Sequence, residues 1–125
     1  MQVRVARPTL DLDRALAFYR DAVGLEILSS FDGHDGYSGA ILGVPAEAVQ
    51  LELVVHEGVV PAPTPEDQLV LYLGSVQAVA DRAASITAAG YNAEPPSNRY
   101  WEREGAIAFV DPDGYWLILS PENRQ

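Results

Sequence analysis

Between Val49 and Val55 the chain alternates strictly, with Leu51, Leu53 and Val55 on one side and Gln50, Glu52 and Val54 on the other. That is the period-two signature of a strand with distinct faces. Earlier the period changes. Leu12, Ala15, Leu16, Tyr19 and Val23 recur at spacings of three and four, which marks one face of a helix. Asp11 stands where an N-cap belongs and Gly24 where a left-handed C′ residue ends a helix. A short extended run over Val3–Pro8 precedes this helix. The β-rich run Leu25–Phe31, the turn chemistry of residues 32–36 and a strand over Tyr37–Leu42 follow it. A loop containing Pro45 then spans Gly43–Ala48.

The segment 57–67 contains Pro61, Pro63 and Pro65 and reads as an extended linker, because proline removes ladder donors and blocks helix interiors. After it the pattern restarts. Gln68–Leu73 is strand-like, and Ser75 caps a helix with Val76, Val79, Ala83 and Ile86 on one face and Gly90 at its end. Tyr91–Ala93 reads as extended, Pro95–Asn98 as a turn, Tyr100–Glu102 as a loop edge, and residues 105–110 and 115–120 as strands around the turn Asp111-Pro112-Asp113-Gly114. The polar tail 121–125 is expected to fray.

The restart is a duplication. A fixed shift carries Gly24 onto Gly90, Gly39 onto Gly105, and Gln50-Leu51-Glu52-Leu53 onto Trp116-Leu117-Ile118-Leu119, and a slightly shorter one carries Arg4 onto Gln68. The reading is an α+β chain of two tandem βαβββ units, 1–56 and 68–120, joined by the linker 57–67 and ended by the tail, all within one domain.

Composition narrows the function classes. The 125 residues, 48% of them hydrophobic, suit one folded domain with a core. The formal charge of −10 opposes nucleic-acid binding and mildly favours cationic ligands, although an acidic surface that maintains solubility is the plainer explanation. The chain has no cysteine, so thiolate metal sites and Cys nucleophiles are excluded. No apolar run suits a membrane span and the Met1 end lacks a signal pattern, so the expected location is cytoplasmic, with no membrane partner. There is no Gly-rich phosphate loop or nucleophile elbow, and Asp111 and Asp113 read as turn residues.

The tandem units, with AFYRDAVGLEIL in the first helix and FVDPDGYWLIL near the end, resemble the vicinal oxygen chelate superfamily. That group includes glyoxalase I, extradiol dioxygenases, fosfomycin-modifying enzymes and bleomycin-binding resistance proteins. RVARPT, HDGYSG and RYWE resemble a glyoxalase-like subgroup with no firm activity. The resemblance covers essentially the whole chain. It implies curved mixed sheets cupping a pocket, commonly a homodimer, and metal ligands from the first and last strands of each unit.

Those four places hold Arg4, Glu52, Gln68 and Ile118. Ile118 cannot ligate, Arg4 would repel a cation, Gln68 is a weak donor, and Glu52 alone is a good ligand. The expectation is therefore no metal, with Arg4 pairing with Glu52 where the ion would sit and Gln68 hydrogen-bonding to the pair. Arg4 reads equally as a rim arginine, and Arg7 would take its place if the register slipped by one. Glu52 either lines a pocket or is paired, because an unpaired buried carboxylate is costly.

His56, on the Glu52 side of the strand, is a candidate base or ligand beside its plainer reading as a rim histidine. His34 reads first as an exposed turn residue. A rearranged divalent site (zinc, nickel, manganese or iron) from Glu52, Gln68, His56 and His34 is the alternative. Among the aromatics, Tyr37, Tyr72 and Trp101 are the candidates for ligand contact, against packing in the sheets or at a subunit interface. Three functions follow. The first is metal-free binding of a small organic molecule. The second is a metal-dependent glyoxalase-, lyase- or dioxygenase-like enzyme. The third is a metal-free acid/base enzyme using Glu52; the candidate catalytic groups are Glu52 and His56.

Overall fold

A computed structural model describes residues 1–44 and 48–123; of His34 it describes the backbone but not the side chain. Part of the expected Pro45 loop and the last two tail residues therefore lie outside the described residues. The chain forms two compact units, Met1–Ala62 and Pro63–Gln125.

In the first unit, strand β1 (Val3–Pro8) leads into helix α1 (Leu12–Leu16), whose N-cap Asp11 accepts from the Arg14 N–H. The helix continues as a π-helical segment, Ala17–Ala22, with Val23 N–H bonded to Phe18 O at 2.8 Å. The spacing predicts an ordinary helix up to Gly24, and here the structure differs. The wider turn brings residues four and five apart onto one side, so Phe18, Tyr19, Ala22 and Val23 are all buried. Gly24 has φ +94°, the left-handed stop expected of it.

Strands β2 (Glu26–His34), β3 (Tyr37–Gly43) and β4 (Val49–His56) complete a mixed sheet in the order β1-β4-β3-β2, with β1 parallel to β4 and the other pairs antiparallel. Strand β2 extends over residues 32–34 of the expected turn, leaving the turn itself at Asp35-Gly36, and is irregular between Ile27 and Ser29 and between Phe31 and His34. The alternation in β4 is as read. Leu51 and Leu53 are buried beside Ala40 and Leu42, on the face where Arg7 meets Tyr19, while Gln50, Glu52, Val54 and His56 share the opposite face.

The second unit holds β5 (Gln68–Tyr72), α2 (Val76–Ala88), α3 (Arg99–Arg103), β6 (Ile107–Val110) and β7 (Trp116–Ser120). Its sheet has three strands, ordered β5-β7-β6. Ser75 caps α2, accepting from the Ala78 N–H, and Val79, Ala83 and Ile86 are buried as expected. Val76, expected on the same face, is 71% exposed, because it occupies the first turn.

Two further expectations fail in this unit. Residues 91–93 do not form a strand; only Glu94 bridges to Ala108, and Pro95-Pro96 then denies the ladder its donors. The expected loop edge at Tyr100–Glu102 is helical instead, capped by Asn98, whose side chain accepts from the Tyr100 N–H. The tail is held at Glu122. Tyr100 O–H donates to Glu122 Oε1 at 2.7 Å, and Gly74 N–H donates to its carbonyl at 3.2 Å.

Candidate functional site

The parallel register Arg4↔Gln50 and Ala6↔Glu52 puts Arg4 beside two polar residues of β4 on the face away from α1. The Arg4 guanidinium donates from Nη1 to Glu52 Oε1 and from Nε to Gln50 Oε1, both at 3.4 Å. The Glu52 side chain is 18% exposed and that of Arg4 51%. The pair is thus a half-sheltered carboxylate met by a cation from its solvent side. Gln50 was not singled out from sequence; its position two residues before Glu52 on the same strand face was the available signal.

Arg7 does not substitute for Arg4. Register pairs it with Leu53 on the helix side, where it is buried and donates to the Tyr19 hydroxyl at 3.3 Å.

The same open face continues along β3 and β2. Ile41 pairs with Glu52, Gly39 with Val54, and Phe31 with Gly39. Gly39 permits a close approach: a Cβ there would strike the Leu53 carbonyl oxygen and lie 2.9 Å from Phe31 Cζ. At the far end Tyr37 pairs with His56, and their rings stack at 4.1 Å with planes 18° apart. Tyr37 is exposed, while His56 Nδ1 is buried with no hydrogen-bond partner among the described residues. Glu52 and His56 therefore share a face but stand four residues apart along an extended strand, at opposite ends of this surface. The side chain of His34 lies outside what the structure describes.

In the second unit the face equivalent to that of Glu52 is apolar and covered. Val70 pairs with Ile118, and Ile118 with Ala108. Trp101 of α3 packs into this cluster and is 8% exposed, with Val70, Tyr100 and Trp116 around it. Trp101 is thus a packing residue of its own sheet. Gln68 donates its amide to the Pro65 carbonyl at 3.0 Å, so within its unit that donor is already engaged. Tyr72 is exposed at the end of β5.

The four places expected of metal ligands can now be tested for fit. Ile118 is fully buried hydrocarbon, Gln68 is bonded to backbone, and Glu52 is bonded to a guanidinium. Among the described residues no three His, Asp or Glu side chains come together as ligands. This donor set does not fit a divalent ion, which needs several converging oxygen or imidazole donors.

Comparison with known proteins agrees with the fold. Family models described as the YycE-like N-terminal and C-terminal domains match residues 3–54 and 66–121. The uncharacterized protein YycE of Bacillus subtilis (strain 168) is 33% identical over 120 residues, which is 94% of this chain and 86% of that protein. A crystal structure of a Bacillus subtilis YycE protein of unknown function, described as a glyoxalase/fosfomycin-resistance type, superposes with a TM-score of 0.90 at 30% identity, covering 99% of this chain and 91% of the other. At 23% identity the fold is shared with glyoxalase I of Leishmania major (TM-score 0.73; 98% of this chain, 86% of that one). It is also shared with TnmS3, an antibiotic-binding protein from Streptomyces sp. CB03234 (TM-score 0.71; 96% and 93%).

Proposed function

The chain belongs to the YycE-like family, within the vicinal oxygen chelate superfamily, and on that premise we propose that it binds a small organic molecule on the open face of its first sheet without a metal centre. The observation that carries this reading is the Arg4–Glu52 pair. A divalent ion at Glu52 would have to displace a resident cation, and among the described residues it would find no group of three His, Asp or Glu side chains to hold it. The face offers a polar patch at Arg4, Gln50 and Glu52, an apolar stretch at Ile41 and Phe31, and the exposed Tyr37 ring stacked on His56. A few polar groups beside apolar and aromatic walls suit recognition of an organic molecule. That TnmS3, a protein of the same fold, is an antibiotic-binding protein adds support at the level of fold only.

The test is metal content of the purified protein, with thermal melts in chelator and in added zinc, nickel, manganese or iron. Expected are no stoichiometric metal and an unmoved melting temperature; bound metal, or a rise of several degrees, overturns the metal-free reading.

A second reading is a metal-dependent glyoxalase-, lyase- or dioxygenase-like enzyme using Glu52 and atypical ligands, with His56 as a further candidate group. It is favoured by their placement on one strand face. Loss of turnover in Glu52→Gln with folding intact would select it.

In the proposed reading the protein works in the cytoplasm as a homodimer. The described chain contains no helix long and apolar enough to cross a membrane. Val3, Val5 and Val49 lie together on β1 and β4, exposed by 45%, 49% and 55%, and such an apolar edge is what a subunit contact would cover. Light scattering on the purified chain decides this, and a monomer at all concentrations removes the homodimer.

A further inference from the structure

The helix-side face of the first sheet carries a groove that the Arg4–Glu52 face does not use. Helix α1 packs against β4, and between it and the β2–β3 hairpin lies a cavity of about 470 Å³, within the roughly 300–1,000 Å³ range of small-molecule sites. Leu12 and Leu16 line it from the helix, and Ile27 from β2. The two irregularities of β2, Ile27/Ser29 and Phe31/His34, bracket this wall. Such bulges bend a strand and re-aim its side chains.

One charged group belongs to the groove. Asp32 lies among its lining residues, and the Ser38 hydroxyl donates to Asp32 Oδ1 at 2.9 Å while accepting the Gly33 N–H at 2.9 Å. The carboxylate is therefore held in place by a hydroxyl that is itself anchored to backbone. Among the described residues no arginine or histidine side chain forms an ion pair with it. The chain as a whole carries a formal charge of −10. An anionic ligand would be repelled here, and a neutral apolar one would strip water from the carboxylate without replacing it.

We propose that this groove binds small apolar amines as their ammonium ions, with the hydrocarbon against Leu12, Leu16 and Ile27 and the ammonium on Asp32. The site is independent of the reading of the Arg4–Glu52 face, because Ser30, Ser38 and Ala40 point to the opposite side of the sheet from Glu52.

The test titrates the full chain with benzylamine, benzyl alcohol and benzoate and follows the methyl resonances of Leu12, Leu16 and Ile27 by NMR. Benzylamine should shift these methyls saturably, about five-fold more tightly than benzyl alcohol, and benzoate should leave them unmoved; the factor is that of a solvent-facing ion pair. Asp32→Asn should remove the amine's advantage and leave the alcohol unchanged. Ser30→Trp, at an exposed lining position, should block both ligands while the melting temperature holds. The proposal is overturned if amine and alcohol bind equally to the parent chain, if Asp32→Asn leaves the difference intact, or if the shifts fall on methyls elsewhere.

Discussion

Arg4 Nη1 stands 3.4 Å from Glu52 Oε1, across a parallel pair of strands whose residues are separated by almost the whole first unit. The separation is long for a charge-assisted bond, and Arg4 is half exposed. The contact is thus a modest contributor to stability and a strong determinant of which charge Glu52 meets.

A double-mutant cycle with Arg4→Met and Glu52→Gln should give a coupling of about 0–1 kcal/mol in urea unfolding. Arg4→His should have a larger effect on metal response. It removes the resident cation and sets an imidazole beside Glu52, so zinc should raise its melting temperature more than that of the parent chain. Equal responses would show that Arg4 does not keep the ion out.

Gly39 is tight for steric reasons and Gly74 for conformational ones. A methyl at 39 meets the Leu53 carbonyl and the Phe31 ring, whereas one at 74 meets open space but sits at φ +85°. Gly39→Ala should cost about 1–3 kcal/mol by forcing β3 and β4 apart, and Gly74→Ala about 1–2 kcal/mol from left-handed strain alone. The two separate by NMR: only the first should perturb Phe31 and the β3–β4 hydrogen bonds.

Trp101 lies in the cluster with Ala108 and Ile118, so Trp101→Ala should cost about 3–5 kcal/mol in denaturant unfolding. Its fluorescence should be that of a buried indole and should respond to unfolding. Unchanged stability in Trp101→Ala would show that the indole does not hold this cluster together.

These residues also mark how much of the fold and the site is legible in the amino-acid sequence. Glu52 was legible because a strand's period of two assigns its face regardless of what surrounds it. Asp11 and Ser75 were legible because an N-cap needs only a short side-chain oxygen at a fixed distance from the next turn. The Arg4–Glu52 contact was expected, but its partner Gln50 was missed, since the register between β1 and β4 is set by distant residues. The π-helical segment was hidden because spacings of three and four fit an ordinary helix as well. Helix α3 was hidden because five residues are too few to show a period, and the prolines before it read as a turn. With α3 went the most informative asymmetry between the repeats: the second unit fills its equivalent face with Trp101, while the first keeps polar groups on an open one.

The Tyr37–His56 stack separates a structural histidine from a chemical one. His56 Nδ1 is buried with no partner among the described residues, and an orphaned polar atom costs roughly 1–3 kcal/mol. His56→Phe keeps the ring against Tyr37 and removes that atom. Its stability should match or exceed that of the parent chain, read from urea midpoints. A clear loss would mean that Nδ1 is satisfied in solution, most simply by water.

Asp111 gives the sharpest prediction for the second unit. It is 6% exposed, and its Oδ1 accepts the N–H groups of Asp113 at 2.8 Å and Tyr115 at 2.9 Å. The FVDPDG turn is therefore built on a buried carboxylate that stands in for backbone acceptors, with Gly114 at φ +95° returning the chain into β7. Asp111→Ala leaves two backbone donors without an acceptor and should cost about 2–4 kcal/mol. Asp111→Asn retains an oxygen in the same place and should lose less, because only the charge assistance is removed. Amide hydrogen exchange checks the cause: the Asp113 and Tyr115 amides should exchange faster in the alanine variant before the rest of β7 does. Uniform acceleration across the second unit would assign the loss to packing around Asp111 instead.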